Sequence, residues 1–314
     1  MPRSHTDTAR TPHAAAADRR LRRALRREMP STVGLLADAR DFAAMRRYRT
    51  FAFDDHTAYL QQIEALLKTL AAQGGHTTVT LFDPEEYAAW CTTTGTDPDH
   101  PASRSRFTAH VAVTGARLTY TGQPLTTLLP ELVDTAVRHA TWEYATTVLA
   151  TAGDCAACGT DIGRAAFDRA THLLARLLEA TGPGTHHLVC SVPAGSDHLL
   201  AVLHTRTDDD GTAHHDLTAA TEFTAVLAAG IALAAPGGLV LRTSASGARD
   251  RLHGWRLKDA TLAPLTEAEV FAAYCTDART GEPVAPEPDV DHRAGFPLPT
   301  DPYDDCAAHH RPRP

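Results

Sequence analysis

Residues 153–160 read GDCAACGT and residues 304–310 read DDCAAHH. Each places Asp-Cys-Ala-Ala ahead of a residue able to bind a metal. Zinc takes four nitrogen or sulfur ligands in a tetrahedron, and Cys-x-x-Cys is a recurrent half-site because a tight turn aims both sulfurs inward. Cys155 and Cys158 have that spacing, and Gly153 and Gly159 give the turn its backbone freedom. Cys306 and His309 form a second half-site, Cys-x-x-His, of fitting ligand types. The four predict a structural zinc that fixes a Pro-rich tail to the folded body. The competing readings are two unliganded thiols in a loop, and a redox dithiol. Redox chemistry usually sets Cys-x-x-Cys between a strand and a helix, whereas here a helix precedes it. His187-x-x-Cys190 is no rival half-site, because residues three apart on a strand face opposite sides of the sheet.

A second chemistry is available to carboxylates. Asp38, Asp55 (with Asp54 beside it) and Asp83 each follow an apolar run that reads as a strand. In an open parallel sheet the carboxyl ends of the strands face the ligand crevice. Three carboxylates there would hold Mg²⁺ and support a phosphoesterase or nuclease, the metal activating water. Asp is equally a favoured helix N-cap, and DPEE (83–86) has the makings of one already.

Fewer residues speak for other chemistry. His139 and Glu143 sit one helical turn apart, a spacing that suits two ligands but also a solvated face. His214-His215 follows an acidic turn and reads as surface. Trp90, Trp142 and Trp255 do not recur on one element, which favours core or interface anchors over a stacking platform. No glycine-rich phosphate loop is present, and TSASGA (243–248) lacks the spacing of a nucleophile elbow.

These residues need elements to position them. TVGLLA (32–37) reads as a buried strand. TFAFDD (50–55) is a second apolar run, leading into a helix over about 56–73 that Gly74-Gly75 stops. TTVTLF (77–82) is a strand, DPEEYAAW starts a helix, and 93–106 is a polar loop. A short strand near 116–120 precedes a long helix from about Pro130 to Leu149. Strand–helix–strand order of this length predicts a parallel β-α-β unit. Beyond the Cys-x-x-Cys loop the rhythm changes. A helix (161–180) is followed by a hairpin of HHLVCSV and HLLAVLHT, then an apolar helix (217–235). A second hairpin of GLVLRTS and RLHGWRL leads to a helix boxed by Thr266 and Glu269. The fold class expected is therefore mixed α/β and α+β, a parallel N-terminal unit followed by an antiparallel sheet of hairpins packed with helices. The divisions read as a basic arm (1–28), an α/β unit (29–152), an α+β unit (153–275) and an extended, poorly ordered Pro-rich tail (276–314).

Composition sets the class. With 314 residues, 43% hydrophobic and 22% charged, the chain can bury real cores and is not of disordered type. No apolar run suits a bilayer span and no apolar segment follows the Arg-rich start, so the reading is a soluble, cytoplasmic protein without a membrane partner. Its six cysteines are too sparse for a disulfide framework. Of 30 basic residues only Lys68 and Lys258 are lysines, the mark of a GC-rich bacterial genome. The first 28 residues hold eight arginines against Asp7, Asp18 and Glu28, a net +5, which leaves −13 on the rest of a chain whose total is −8. RRLRRALRRE (19–28) thus offers a basic helix for nucleic acid, although the acidic body opposes phosphates. The expectation is a non-enzymatic protein that binds another protein or a small molecule, with zinc at Cys155, Cys158, Cys306 and His309. The alternative is the Mg²⁺ enzyme on Asp38, Asp55 and Asp83.

Overall fold

The computed structural model describes residues 31–195, 197–277 and 279–298. The basic arm expected over 1–28 lies outside them, as do Cys306 and His309. Among the described residues there are eight helices and ten strands, in the mixed α/β and α+β arrangement expected. No helix among them is long and apolar enough to cross a membrane. The chain divides into two units, Met1–His139 and Ala140–Pro314. The division falls inside a helix, some 13 residues before the loop at which sequence composition had placed it.

In the first unit β1 (Ser31–Leu35) and β2 (Thr77–Leu81) pair in parallel, Ser31 opposite Thr77 and Leu35 opposite Leu81. The crossover between them holds α1 (Ala39–Met45) and α2 (His56–Ala72). Then come α3 (Pro84–Thr94), α4 (Pro101–Thr114), the short antiparallel β3 (Leu118–Thr119) and the first part of α5 (Leu125–Thr151). Alternation along the strands sorts the core into two clusters. Leu35, Val79, Leu128 and Leu132 form an aliphatic one, while Phe42, Tyr59, Phe82, Tyr87 and Phe107 form an aromatic one. Tyr59 belongs to the second; burial raises its phenol pKa to about 12, and its oxygen accepts the Leu36 N–H at 3.3 Å.

Three sequence expectations are corrected in this unit. TFAFDD is not a strand: Phe51 and Phe53 reach the aromatic cluster from irregular backbone, with rings 5.1 Å apart, so packing rather than pairing explains their apolar character. The polar stretch 93–106 is not all loop, because α4 starts at Pro101 with His100 as its cap, the ring nitrogen accepting the Ala102 N–H. The long helix begins before Pro130, at Leu125, and carries that proline inside.

The second unit is built on a seven-stranded sheet. Its order is β10 (Val290–Arg293), β8 (Asp250–Lys258), β7 (Gly237–Ser244), β4 (Gly184–Ala194), β5 (Asp197–Thr207) and β6 (Ala213–His215), with β9 (Thr261–Pro264) also on β8. Both expected hairpins are present: β4 pairs β5, and β7 pairs β8, all antiparallel. On one face α6 (Ile162–Ala180) and α7 (Leu217–Ala232) bury Leu188, Cys190, Leu203, Leu241 and Trp255. α7 is buried nearly all round from Phe223 to Ile231, as a helix without a polar stripe must be. On the other face Val240 and Leu252 meet Val270 of α8 (Glu267–Tyr274) and Val290. α8 opens with the capping box foreseen on Thr266 and Glu269.

The Pro-rich segment is corrected over residues 276–298. Asp277 starts a turn closed by Gly281 N–H to Asp277 O at 2.8 Å, and β10 then adds to the sheet edge parallel to β8, Val290 opposite Asp250. Prolines outside β10 leave its own N–H groups available for pairing. Phe296 finishes against Trp255, whose indole N–H donates to the Phe296 carbonyl at 3.0 Å.

Candidate functional site

The Cys-x-x-Cys turn joins α5 to α6. Gly153 (φ 70°) and Gly159 (φ 73°) take the left-handed conformation that glycine alone adopts cheaply. The loop is tied internally: Cys155 N–H donates to Thr160 O at 2.8 Å, Gly159 N–H to Cys155 O at 2.9 Å, and Ile162 N–H to Gly153 O at 2.9 Å. Asp154 and Asp161 bridge its base, and Asp161 caps α6 by accepting the Arg164 N–H at 2.7 Å. Cys155 is fully buried, while Cys158 is exposed and its thiol lies 3.2 Å from the Thr160 hydroxyl. The turn is therefore closed by its own backbone bonds and carries two thiols of unequal exposure. Among the described residues no group of three or more His, Cys, Asp or Glu side chains is placed to hold a metal. A four-ligand site here requires donors from outside them, where Cys306 and His309 lie.

The carboxylate cluster does not form as expected. Asp38 accepts the Asp41 N–H at 2.8 Å, Asp55 the Ala58 N–H at 2.8 Å, and Asp83 the Glu85 and Glu86 N–H groups at 2.7 and 3.1 Å. Each is the N-cap of its own helix, α1, α2 and α3, so the first-turn donors engage one oxygen of each carboxylate in a structural role. Asp38 and Asp83 do come close enough to act on Asp41. Burial first, then those two charges and Glu85, raise its carboxyl pKa, with Arg40 opposing. The expected consequence is that Asp83→Ala costs about 1 kcal/mol of stability while Asp83→Asn costs only a fraction of that. Added Mg²⁺ leaves the thermal midpoint of the wild type unmoved. A midpoint raised by Mg²⁺ in the wild type and not in the Asn variant would restore the cation reading.

The remaining candidates have structural occupations. His139 faces the Thr114 carbonyl at 3.1 Å, and His214 meets Asp208 at 2.8 Å on the surface. Trp255 is fully buried, Trp142 packs against the main core, and Trp90 packs on Phe107. Cys190 faces the core, where burial pushes its thiol up to about 12, while neighbouring His187 faces the other side.

That other side holds a feature not foreseen from sequence. A cavity of ≈ 330 Å³ lies between the sheet and the α8–β10 segment, with His187, Arg242, Tyr274, Cys275, Glu287 and His292 among its lining. Arg242 donates through Nε to Asp250 at 2.6 Å and through both terminal nitrogens to Glu287 at 2.9 and 3.0 Å. The Ser244 hydroxyl first, then this fork, holds the Asp250 carboxyl below the usual range, and the fork does the same for Glu287 while anchoring the segment after α8 to the sheet. On β5, directly opposite His187, stands His204, the two Nδ1 atoms 3.0 Å apart. Each strand residue lies as far before the Ala194–Asp197 turn as its partner lies after it, so the sequence held this pairing for a reader who counted from the turn.

Residues 20–123 match the model of a family described as a domain of unknown function, DUF8829. No curated protein matches the chain, and no solved structure does. The family match falls within the first unit.

Proposed function

We propose that this is a non-enzymatic cytoplasmic protein that binds another protein or a small molecule, its second unit stapled by a structural zinc. Cys155 and Cys158 supply one half of that site, and Cys306 and His309 the other. The observation that carries the reading is the turn itself: two thiols in Cys-x-x-Cys spacing on a loop closed by its own backbone bonds. Soft thiolates on a preformed turn suit zinc, and the cation, when bound, supplies a closed crosslink between distant parts of the chain. The cavity behind the sheet, apolar in its floor and polar at His187, Arg242 and Tyr274, is the place for a small ligand. The engagement of Asp38, Asp55 and Asp83 in helix caps supports a binding role over hydrolysis.

Elemental analysis of the full chain, purified without added metal, tests the staple. One zinc per chain is expected in the wild type and its loss in Cys158→Ser. No metal in either protein, or the same zinc content in both, overturns the reading.

A further inference from the structure

The pairing of His187 with His204 is the arrangement that goes furthest beyond the zinc turn. Both project from the face opposite the main core, since their neighbours Leu188 and Leu203 are buried in it. Their rings stand 4.4 Å apart at 57°, and Nδ1 approaches Nδ1 at 3.0 Å. Two nitrogens at that separation share either one proton or one cation. Metal–imidazole bonds of 2.0–2.1 Å meeting at a right angle put their nitrogens about 2.9 Å apart, whereas a tetrahedral angle puts them at about 3.4 Å. The observed spacing fits the right angle, the geometry of tetragonal copper(II) and nickel(II) rather than of zinc.

The surroundings favour a cation as well. The nearest fixed positive charge, Arg242 beside His187 on β7, is already held by two carboxylates, Asp250 and Glu287, which leaves the group of three at −1. His204 is exposed, which leaves an entry path from solvent, while His187 lines the cavity. We propose that His187 and His204 form a two-imidazole site for a tetragonal divalent cation, Cu²⁺ or Ni²⁺. The remaining coordination positions are open to water or to a ligand seated in the cavity. This site is independent of the staple on Cys155 and Cys158.

The test is calorimetric titration of the full chain with NiCl₂, run on the wild type, His187→Ala, His204→Ala, Cys158→Ser and His214→Ala. Saturable uptake is expected in the wild type, in Cys158→Ser and in His214→Ala. Either alanine change at the pair should weaken it by about tenfold or more, which is about 1.4 kcal/mol. Because His187→Ala touches a half-buried position, a second readout uses the wild type alone. Substoichiometric Ni²⁺ should broaden the imidazole resonances of His187 and His204 before those of any other histidine. Uptake unchanged in both variants, or broadening that starts elsewhere, overturns the proposal.

Discussion

Trp255→Ala is expected to lower the unfolding free energy of the second unit by about 3–5 kcal/mol, the range for emptying a large aromatic site in a packed core. Trp255 is fully buried on the core side of β8, where its ring meets Phe296 edge-on at 4.8 Å. Truncation leaves a void that α6 and α7 cannot both close on, and it strips the Phe296 carbonyl of its indole donor at 3.0 Å. Trp255→Phe separates the two effects. It keeps most of the packing and loses the hydrogen bond, so a cost nearer 1 kcal/mol plus a small cavity term is expected. Urea unfolding followed by circular dichroism measures both. The alanine variant should also become sensitive to proteolysis between Arg293 and Leu298, since Phe296 is the anchor of that segment. An alanine variant within 1 kcal/mol of the wild type would contradict the anchoring role.

The second large effect concerns Gly163, in the first turn of α6. A Cβ built there would lie 2.1 Å from the Leu149 carbonyl oxygen and 2.8 Å from its carbon, both backbone atoms of α5. No side-chain rotation relieves such a clash, so the two helices must separate. Gly163→Ala is expected to cost about 3 kcal/mol, at the upper end of overpacking changes, and Gly163→Val more. Both helices end on the cysteine turn, so the same substitutions should reduce zinc retention. Gly159 is the control: nothing lies within 4 Å of a Cβ there, and Gly159→Ala meets only the left-handed φ of 73°, a cost of about 1 kcal/mol. Thermal midpoints and zinc content of the three variants decide the matter. Equal losses at Gly159 and Gly163 would contradict a close helix approach.

Legibility from sequence followed periodicity. β4, β5, β7 and β8 carry alternating apolar positions, and α6 has an apolar face of Leu173, Leu174, Leu177 and Leu178, so all were readable. α1 and α4 were not, because one is two turns long and the other has an unusual histidine cap within polar composition. β10 was hidden by its neighbours' prolines, although a strand of four residues needs no apolar run when one face alone is covered. At the candidate sites, the cysteine turn was readable because its spacing is local. Asp38, Asp55 and Asp83 misled because a strand followed by an aspartate describes a ligand crevice and a helix cap equally well. His187 and His204 lie 17 residues apart on two strands, and only the register of the hairpin brings them together.

X-ray absorption at the zinc edge of the purified full chain addresses the central claim, that the Cys155–Cys158 turn is half of a metal site. The account predicts a first shell dominated by sulfur at about 2.3 Å with a nitrogen contribution at about 2.0 Å, and loss of sulfur amplitude in Cys155→Ser. A shell of oxygen and nitrogen alone, or a spectrum indifferent to that substitution, would contradict it.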